Sequence, residues 1–437
     1  MSHYAPVNTT DGPQDNAFDP FAVSEKTHIH EFQQYEYSDS PRGYEHYGEP
    51  SYTSAKAGGF ASDASLVPKA TERPASNYQD LDYAEPYPQP PPLDNKSPLA
   101  RFFGGGESSL QQRIDMKKRG VGRQQYPFVA WVLTAVMTGV LIFELVANKQ
   151  DQGSVFSFKP VVNYMLGPSS TTLINVGARF PPCMKFVQSV PPTTLIGCLN
   201  NTANPATEIC TIEEICGFGG FPDDAPNQWF RFMTPVFLHA GLVHLLLNML
   251  AQLTVSAQVE REMGSISFFI VYFAAGIWGN VLGANFALVG RPSVGASGAI
   301  FGTVAVTWVD LFAHWKYRYR PGRKLAFMAV ELVIGVAMGY IPFVDNFAHL
   351  GGFLMALLVG MTLYPIISET RRHKMIVLAL RVVAIVLAIV LYVVLTRNFY
   401  ESDPYAACEW CRYLSCFPTS SNSYCKGTGL TTSSSAT

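Results

Sequence analysis

The sequence predicts an all-α polytopic membrane protein preceded by a disordered tail. Three observations predict it. Apolar stretches close to the length that crosses a bilayer recur from Tyr126 onward. Lys and Arg gather in clusters that fall on one side of those stretches. All eight cysteines lie in segments that fall on the other side.

The 437 residues, 48% apolar with a formal charge of −2, average two unlike parts. Residues 1–122 are rich in Tyr, Pro, Ser, Asp and Glu and lack sustained apolar periodicity, so they read as a disordered cytoplasmic tail. The proline run at 86–92 reads as polyproline II. The opening residues are polar, acidic and broken by Pro and Gly, so no secretory signal or transit peptide is expected, and the first span itself directs insertion. The near-zero net charge gives no support for nucleic-acid binding.

Seven spans follow, at 127–147, 238–258, 266–286, 296–315, 325–340, 346–364 and 375–396. They define a membrane domain at 123–397 with a long loop at 148–233, followed by a tail at 398–437. Basic clusters precede the first span (Arg113, Lys117, Lys118, Arg119, Arg123), separate the fourth from the fifth, and precede the seventh (Arg371, Arg372, Lys374). With seven crossings all three lie on one side, which the positive-inside rule makes cytoplasmic. The N-terminus is then inside and the C-terminus lumenal or extracellular.

Cys183, Cys198, Cys210 and Cys216 fall in the long outer loop, and Cys408, Cys411, Cys416 and Cys425 in the final tail. Taken without topology, the last four could form a zinc site. An oxidising compartment favours disulfides instead, with connectivity left open. The sequon at Asn200 lies in the same outer loop.

Polar side chains inside apolar spans are costly and need a reason. His239, His244 and Asn248 on the second span, Ser297 on the fourth and His349 on the sixth all lie toward outer ends, at comparable depth. Gly295-Ala296-Ser297-Gly298 places a hydroxyl where glycines leave it unshielded and where the first free amides of a helix could hold an oxyanion. Alone, such a motif is more often a packing or capping device. A lone membrane histidine is likewise more often a packing residue. A hydroxyl and a neutral imidazole at matching depth supply the minimum for nucleophilic catalysis: His349 takes the proton and Ser297 attacks. No acidic third member is visible at that depth. Gly298 with Gly302, and Ala348 with Gly352, form small-xxx-small pairs through which the fourth and sixth helices can approach closely. His244 and Asn248, four apart, share a helix face and could donate to the oxyanion; the plainer reading is an interhelical polar contact. Asp310 and Glu331 read as structural or interfacial, Arg381 as a snorkelling residue, and Glu144 lies near the outer end of the first span.

Four ordered strings carry a resemblance to the rhomboid family of intramembrane serine proteases. They run from Thr234 through His239 and His244 to Asn248 and Met249, from Glu260 to Gly264, from Gly295 through Ser297 to Gly302, and from Ala348 through His349 to Gly352. The resemblance spans 166–364. It implies a rhomboid-like six-helix bundle with a seventh, C-terminal transmembrane helix, similar to secretory-pathway members in the Golgi or plasma membrane. It implies Ser297 as nucleophile, His349 as base, His244 and Asn248 as oxyanion-hole donors, and His239 near the active-site mouth, with no cofactor or metal. Many members have an adjacent tryptophan and arginine in the first outer loop, whereas here Phe230 separates Trp229 from Arg231. The implied partners are single-span transmembrane protein substrates, within membrane lipid, cut where the helix unwinds. Two rivals remain: a catalytically inactive relative that binds membrane clients, and a transporter or channel, which the few intramembrane charges and the lack of a repeat of spans disfavour.

Overall fold

The computed structural model describes residues 109–222, 225–341, 343–401, 408–416, 425 and 427–430. The expected disordered tail before Ser109, the proline run and much of the segment after 401 lie outside the described residues.

Helix α1 (Leu110–Arg119) occupies a stretch that the sequence assigns to the tail. The Ser109 hydroxyl accepts the Gln112 amide at 3.2 Å, three basic residues fill the last turn, and Gly120 closes the helix in the left-handed conformation at φ 70°. Its low hydrophobicity hides it from a search for apolar periodicity, and it is held by distant partners instead. Lys117 reaches Glu262 at 2.8 Å and Asp310 at 2.5 Å. The Tyr364 hydroxyl donates to Asp310 at 2.9 Å, Arg318 also pairs with Asp310, and His314 bonds it at 2.8 Å. These groups close one end of the bundle, where Asp310 is the shared acceptor.

Helix α2 (Phe128–Gln152) is the first span. The long loop after it contains α3 (Ser170–Asn175), α4 (Pro181–Met184), an antiparallel pair β1 (Leu195–Gly197) and β2 (Ile209–Thr211), and α5 (Ile212–Cys216). Two disulfides pin this loop, Cys183–Cys216 and Cys198–Cys210, and the later cysteines pair as Cys408–Cys411 and Cys416–Cys425. Then come α6 (Leu242–Met263), α7 (Ser265–Phe286), α8 (Ser297–Ala313), α9 (Pro321–Met338), α10 (Asn346–Leu363), α11 (Arg371–Glu401) and the short α12 (Arg412–Ser415).

Among the described residues five helices, α2, α6, α7, α10 and α11, are long and apolar enough to cross a membrane; α8 is apolar but has only 17 residues. The chain is therefore a multi-pass helical membrane protein. Several boundaries move by four or five residues: the first helix runs on to Gln152, the last spans Arg371–Glu401, and the second span begins at Leu242 rather than 238, because Gly241 turns at φ 146°. There the amides of Leu242 and Val243 bond the carbonyls of Leu166 and Met165 at 3.0 and 3.1 Å, leaving no room for a Cβ at Gly241.

Helices α7, α8 and α10 form the packed centre, and α11 lies against α10 and α7 with most of its apolar surface exposed. Glycine makes the centre tight. A Cβ at Gly298 would stand 3.1 Å from the Ala348 carbonyl oxygen, and one at Gly352 would overlap the Gly298 carbonyl. The small residues singled out in the sequence thus face one another across the α8–α10 seam.

Candidate active site

The site lies where α6, α8 and α10 begin. Ser297 is the first residue of α8, and its side chain is half-buried. No side chain caps this helix, and its first turn closes with Ile300 donating to Ala296 at 3.0 Å. The amides of Ser297, Gly298 and Ala299 are accordingly the open donors that every helix N-terminus presents. Gly295, at φ 128°, brings the chain into the helix; its amide donates to the Pro235 carbonyl at 2.8 Å.

That glycine is also where His244 arrives. A Cβ built on Gly295 would lie 2.8 Å from His244 Cε1, 3.0 Å from its Nε2 and 3.6 Å from Ser297 Oγ. Any side chain there would collide with the imidazole, so Gly295 lets the ring edge approach the serine. His244 Nδ1 accepts the Ala240 amide at 3.2 Å, so in the neutral ring the proton sits on Nε2, the edge turned to Gly295. Asn248, one turn further along α6, donates to the His244 carbonyl at 3.0 Å and keeps one amide hydrogen uncommitted. A π-helical segment, Gln252–Ser256, follows and joins α8 through Ser256 and Thr303, whose hydroxyls are 2.9 Å apart.

His349 lies on the first turn of α10, 2% exposed. Its ring stacks on Phe301 with centroids 4.1 Å apart and planes 11° from parallel. Phe301 is four residues after Ser297 on α8, so the imidazole covers the helix face below the hydroxyl. Among the described residues neither ring nitrogen has a partner in hydrogen-bond geometry, and the direct bond to Ser297 Oγ is not formed. A buried polar ring without partners is uncommon and costly, which sets His349 apart from an ordinary packing histidine.

His239, expected near the site's mouth, lies beside His244. It is fully buried and meets the His244 ring edge-on, with centroids 5.3 Å apart. The Gly241 turn folds it back, and its amide donates to the Glu144 carboxylate at 3.1 Å. Glu144, passed over in the sequence, is fully buried and holds the backbone just before the His244 helix.

Two arginines that the sequence could not assign hold the frame around the site. Arg179 forms a buried pair with Asp345 at 2.5 Å and exchanges backbone bonds of 3.0 and 3.1 Å with Ser293. Asp345 caps α10 through the Phe347 amide at 2.9 Å, and its carbonyl accepts the His349 amide at 3.1 Å. Arg231, fully buried, donates to Gln228 Oε1 and to the carbonyls of Ile174, Ala178 and Cys216 at 2.6–2.7 Å. Burial lowers its guanidinium to about 9, still charged at neutral pH. Trp229 beside it is 65% exposed, so here the tryptophan and the arginine face opposite ways. Among the described residues no group of His, Cys, Asp and Glu is arranged to hold a metal.

Residues 226–366 match the family model described as Rhomboid domain. The chain is 39% identical over 292 residues to "Rhomboid-type serine protease 2" of Emericella nidulans, covering 64% of this chain and 57% of that protein. It is 36% identical over 207 residues to "RHOMBOID-like protein 2" of Arabidopsis thaliana, covering 44% of this chain and 65% of that one. It is also 30% identical over 227 residues to "Inactive rhomboid protein 1" of Rattus norvegicus, covering 51% of this chain and 26% of that protein. The match thus spans less than two thirds of each of these relatives.

Proposed function

The chain belongs to the rhomboid family, and from that premise we propose that it is an intramembrane serine endopeptidase acting through Ser297 and His349. One observation carries the reading. A buried imidazole with both nitrogens free lies over the face of α8 that begins with Ser297, on a helix locked against α8 by glycine contacts.

In this reading His349 accepts the Ser297 proton as Oγ adds to the scissile carbonyl carbon. The carbonyl oxygen becomes an oxyanion beside the open amides of α8, the His244 Nε2–H and the remaining Asn248 amide hydrogen. Collapse breaks the C–N bond, and the proton held by His349 passes to the leaving amine. Water then repeats the sequence on the Ser297 ester, and the carboxylic acid product leaves. Catalytic hydrogen bonds tighten in the complex with substrate, and in this reading the Ser297–His349 bond forms at that stage. Substrates are single-span membrane proteins in which a weakened helix exposes its carbonyls. The disulfides and the sequon belong on the lumenal or extracellular side, with the basic clusters in the cytoplasm and the protein in a secretory-pathway membrane.

A second reading has its own support. An inactive rhomboid protein is among the relatives, and the unbonded His349 ring also suits a non-catalytic client-binding protein. A fluorophosphonate probe separates the two. The protease labels at Ser297 and cleaves a single-span reporter, and both signals vanish in Ser297→Ala. A chain that resists labelling, or a Ser297→Ala chain that still cleaves, overturns the proposal.

A further inference from the structure

At the end of the bundle where the basic clusters gather, a cavity of about 410 Å³ separates α1 from the first turns of α11. Two helical stripes face it. From α1 come Leu110 and Arg113, and from α11 come Lys374, Leu378 and Arg381, at spacings that keep each set on one helix face.

Three cations thus converge on one space. Among the described residues the Arg113 guanidinium and the Lys374 ammonium have no hydrogen-bond or ion-pair partner. Arg381 donates one nitrogen to the Tyr364 carbonyl at 2.7 Å, and its buried Nε has no partner. The acid in the lining, Glu369, is already engaged elsewhere: Lys316 bonds it at 2.7 Å and Tyr317 bonds it too, and these two hold its carboxyl below the usual range. Arg113 and Arg381 are half-buried and Lys374 is exposed beside them, and this concentration of positive charge against one cavity attracts an anion.

The apolar part of the lining narrows the choice. Leu378 continues into the exposed apolar face of α11, with Ile376, Leu380 and Val382 turned outward along the span. A phosphate seated between Arg113, Lys374 and Arg381 would leave acyl chains free to lie along that face. We propose that this cavity binds the headgroup of an anionic phospholipid of the cytoplasmic leaflet. The site does not depend on the proteolytic reading. It also gives α1 a second attachment, because Lys117, one turn beyond Arg113, is committed to Glu262 and Asp310.

The test is native mass spectrometry of the full chain in detergent, titrated with dioleoyl phosphatidylserine, dioleoyl phosphatidylcholine or inorganic phosphate. Arg113→Gln with Lys374→Gln removes two cations that have no intramolecular role, and it should weaken phosphatidylserine binding about 30-fold. Arg371→Gln with Arg372→Gln, which removes exposed charge outside the cavity, should change it by less than about threefold. Equal retention of phosphatidylcholine, equal losses in the two double variants, or displacement of the lipid by inorganic phosphate at matching concentration would each overturn the proposal. None of these readouts involves peptide cleavage.

Discussion

Replacing Gly352 by alanine is expected to push α10 away from α8 and to cost activity far more than its single methyl suggests. The added Cβ would overlap the Gly298 carbonyl oxygen, a backbone atom that no side-chain rotation can clear. Relief requires the helices to separate by roughly 1 Å, a displacement that overpacked cores resist at a cost of about 1–3 kcal/mol. His349 lies three residues earlier on the same helix and Ser297 beside Gly298 on the other, so the separation falls directly on the proposed dyad. A misplacement of that size lowers turnover about 10²-fold. Two comparisons calibrate the effect. A Cβ at Gly298 meets the Ala348 oxygen at 3.1 Å, so Gly298→Ala asks for only a few tenths of an ångström and should be milder. Gly139→Ala on α2 meets nothing within 4 Å and should raise stability by up to about 1 kcal/mol without touching turnover. The assay pairs thermal unfolding in detergent with turnover of a single-span reporter in proteoliposomes. If Gly352→Ala turns over within threefold of the parent, the claim that glycine packing sets the dyad is wrong.

Three further outcomes follow from the same geometry. Asp345→Ala should destabilise the chain by about 3–5 kcal/mol, because Arg179 is left buried and unpaired, whereas Arg179→Met with Asp345→Leu should recover most of the loss in thermal unfolding. Cys183→Ser with Cys216→Ser removes a crosslink 33 residues long and should lower stability by roughly 3–4 kcal/mol in chemical denaturation, with added loss because the Cys216 carbonyl is an Arg231 acceptor. Asn248→Ala should lower turnover by no more than about 10²–10³-fold, measurable above the Ser297→Ala background, since His244 and the α8 amides remain as donors.

Length and hydropathy made α2, α6, α7, α10 and α11 legible as spans, because a bilayer requires long apolar runs, whereas α8 is short and α9 is not among the helices apolar enough to cross. Gly298, Gly302, Ala348 and Gly352 were legible for a similar reason: small residues four apart on a helix have one obvious use. What escaped was whatever depends on partners distant in sequence. Helix α1 is polar and is held by Glu262, Asp310 and Tyr364, so no local pattern announces it. His239 seemed to open the second span and is instead folded back by the Gly241 turn, a conformation set by the loop around Leu166. Arg231 showed only its spacing from Trp229. Its work lies in three carbonyls supplied by two separate stretches of the long loop, 174–178 and Cys216.

Arg179 shows how the frame reaches the chemistry. Its backbone pairs with Ser293, which fixes the strand-like stretch that ends at Gly295 and so places the start of α8. Its guanidinium pairs with Asp345, which caps α10 and so places the turn that carries His349. One residue of the outer loop therefore ties together the points where both proposed catalytic side chains leave the loop region. A serine and a histidine on separate helices need such a tie, because glycine packing fixes how close the helices come but leaves them free to slide lengthwise. Seam and clasp thus act on different coordinates. Gly352→Ala should alter the spacing of the dyad, whereas loss of the Arg179–Asp345 pair should alter its register along the helix axes, and the two defects should add rather than overlap.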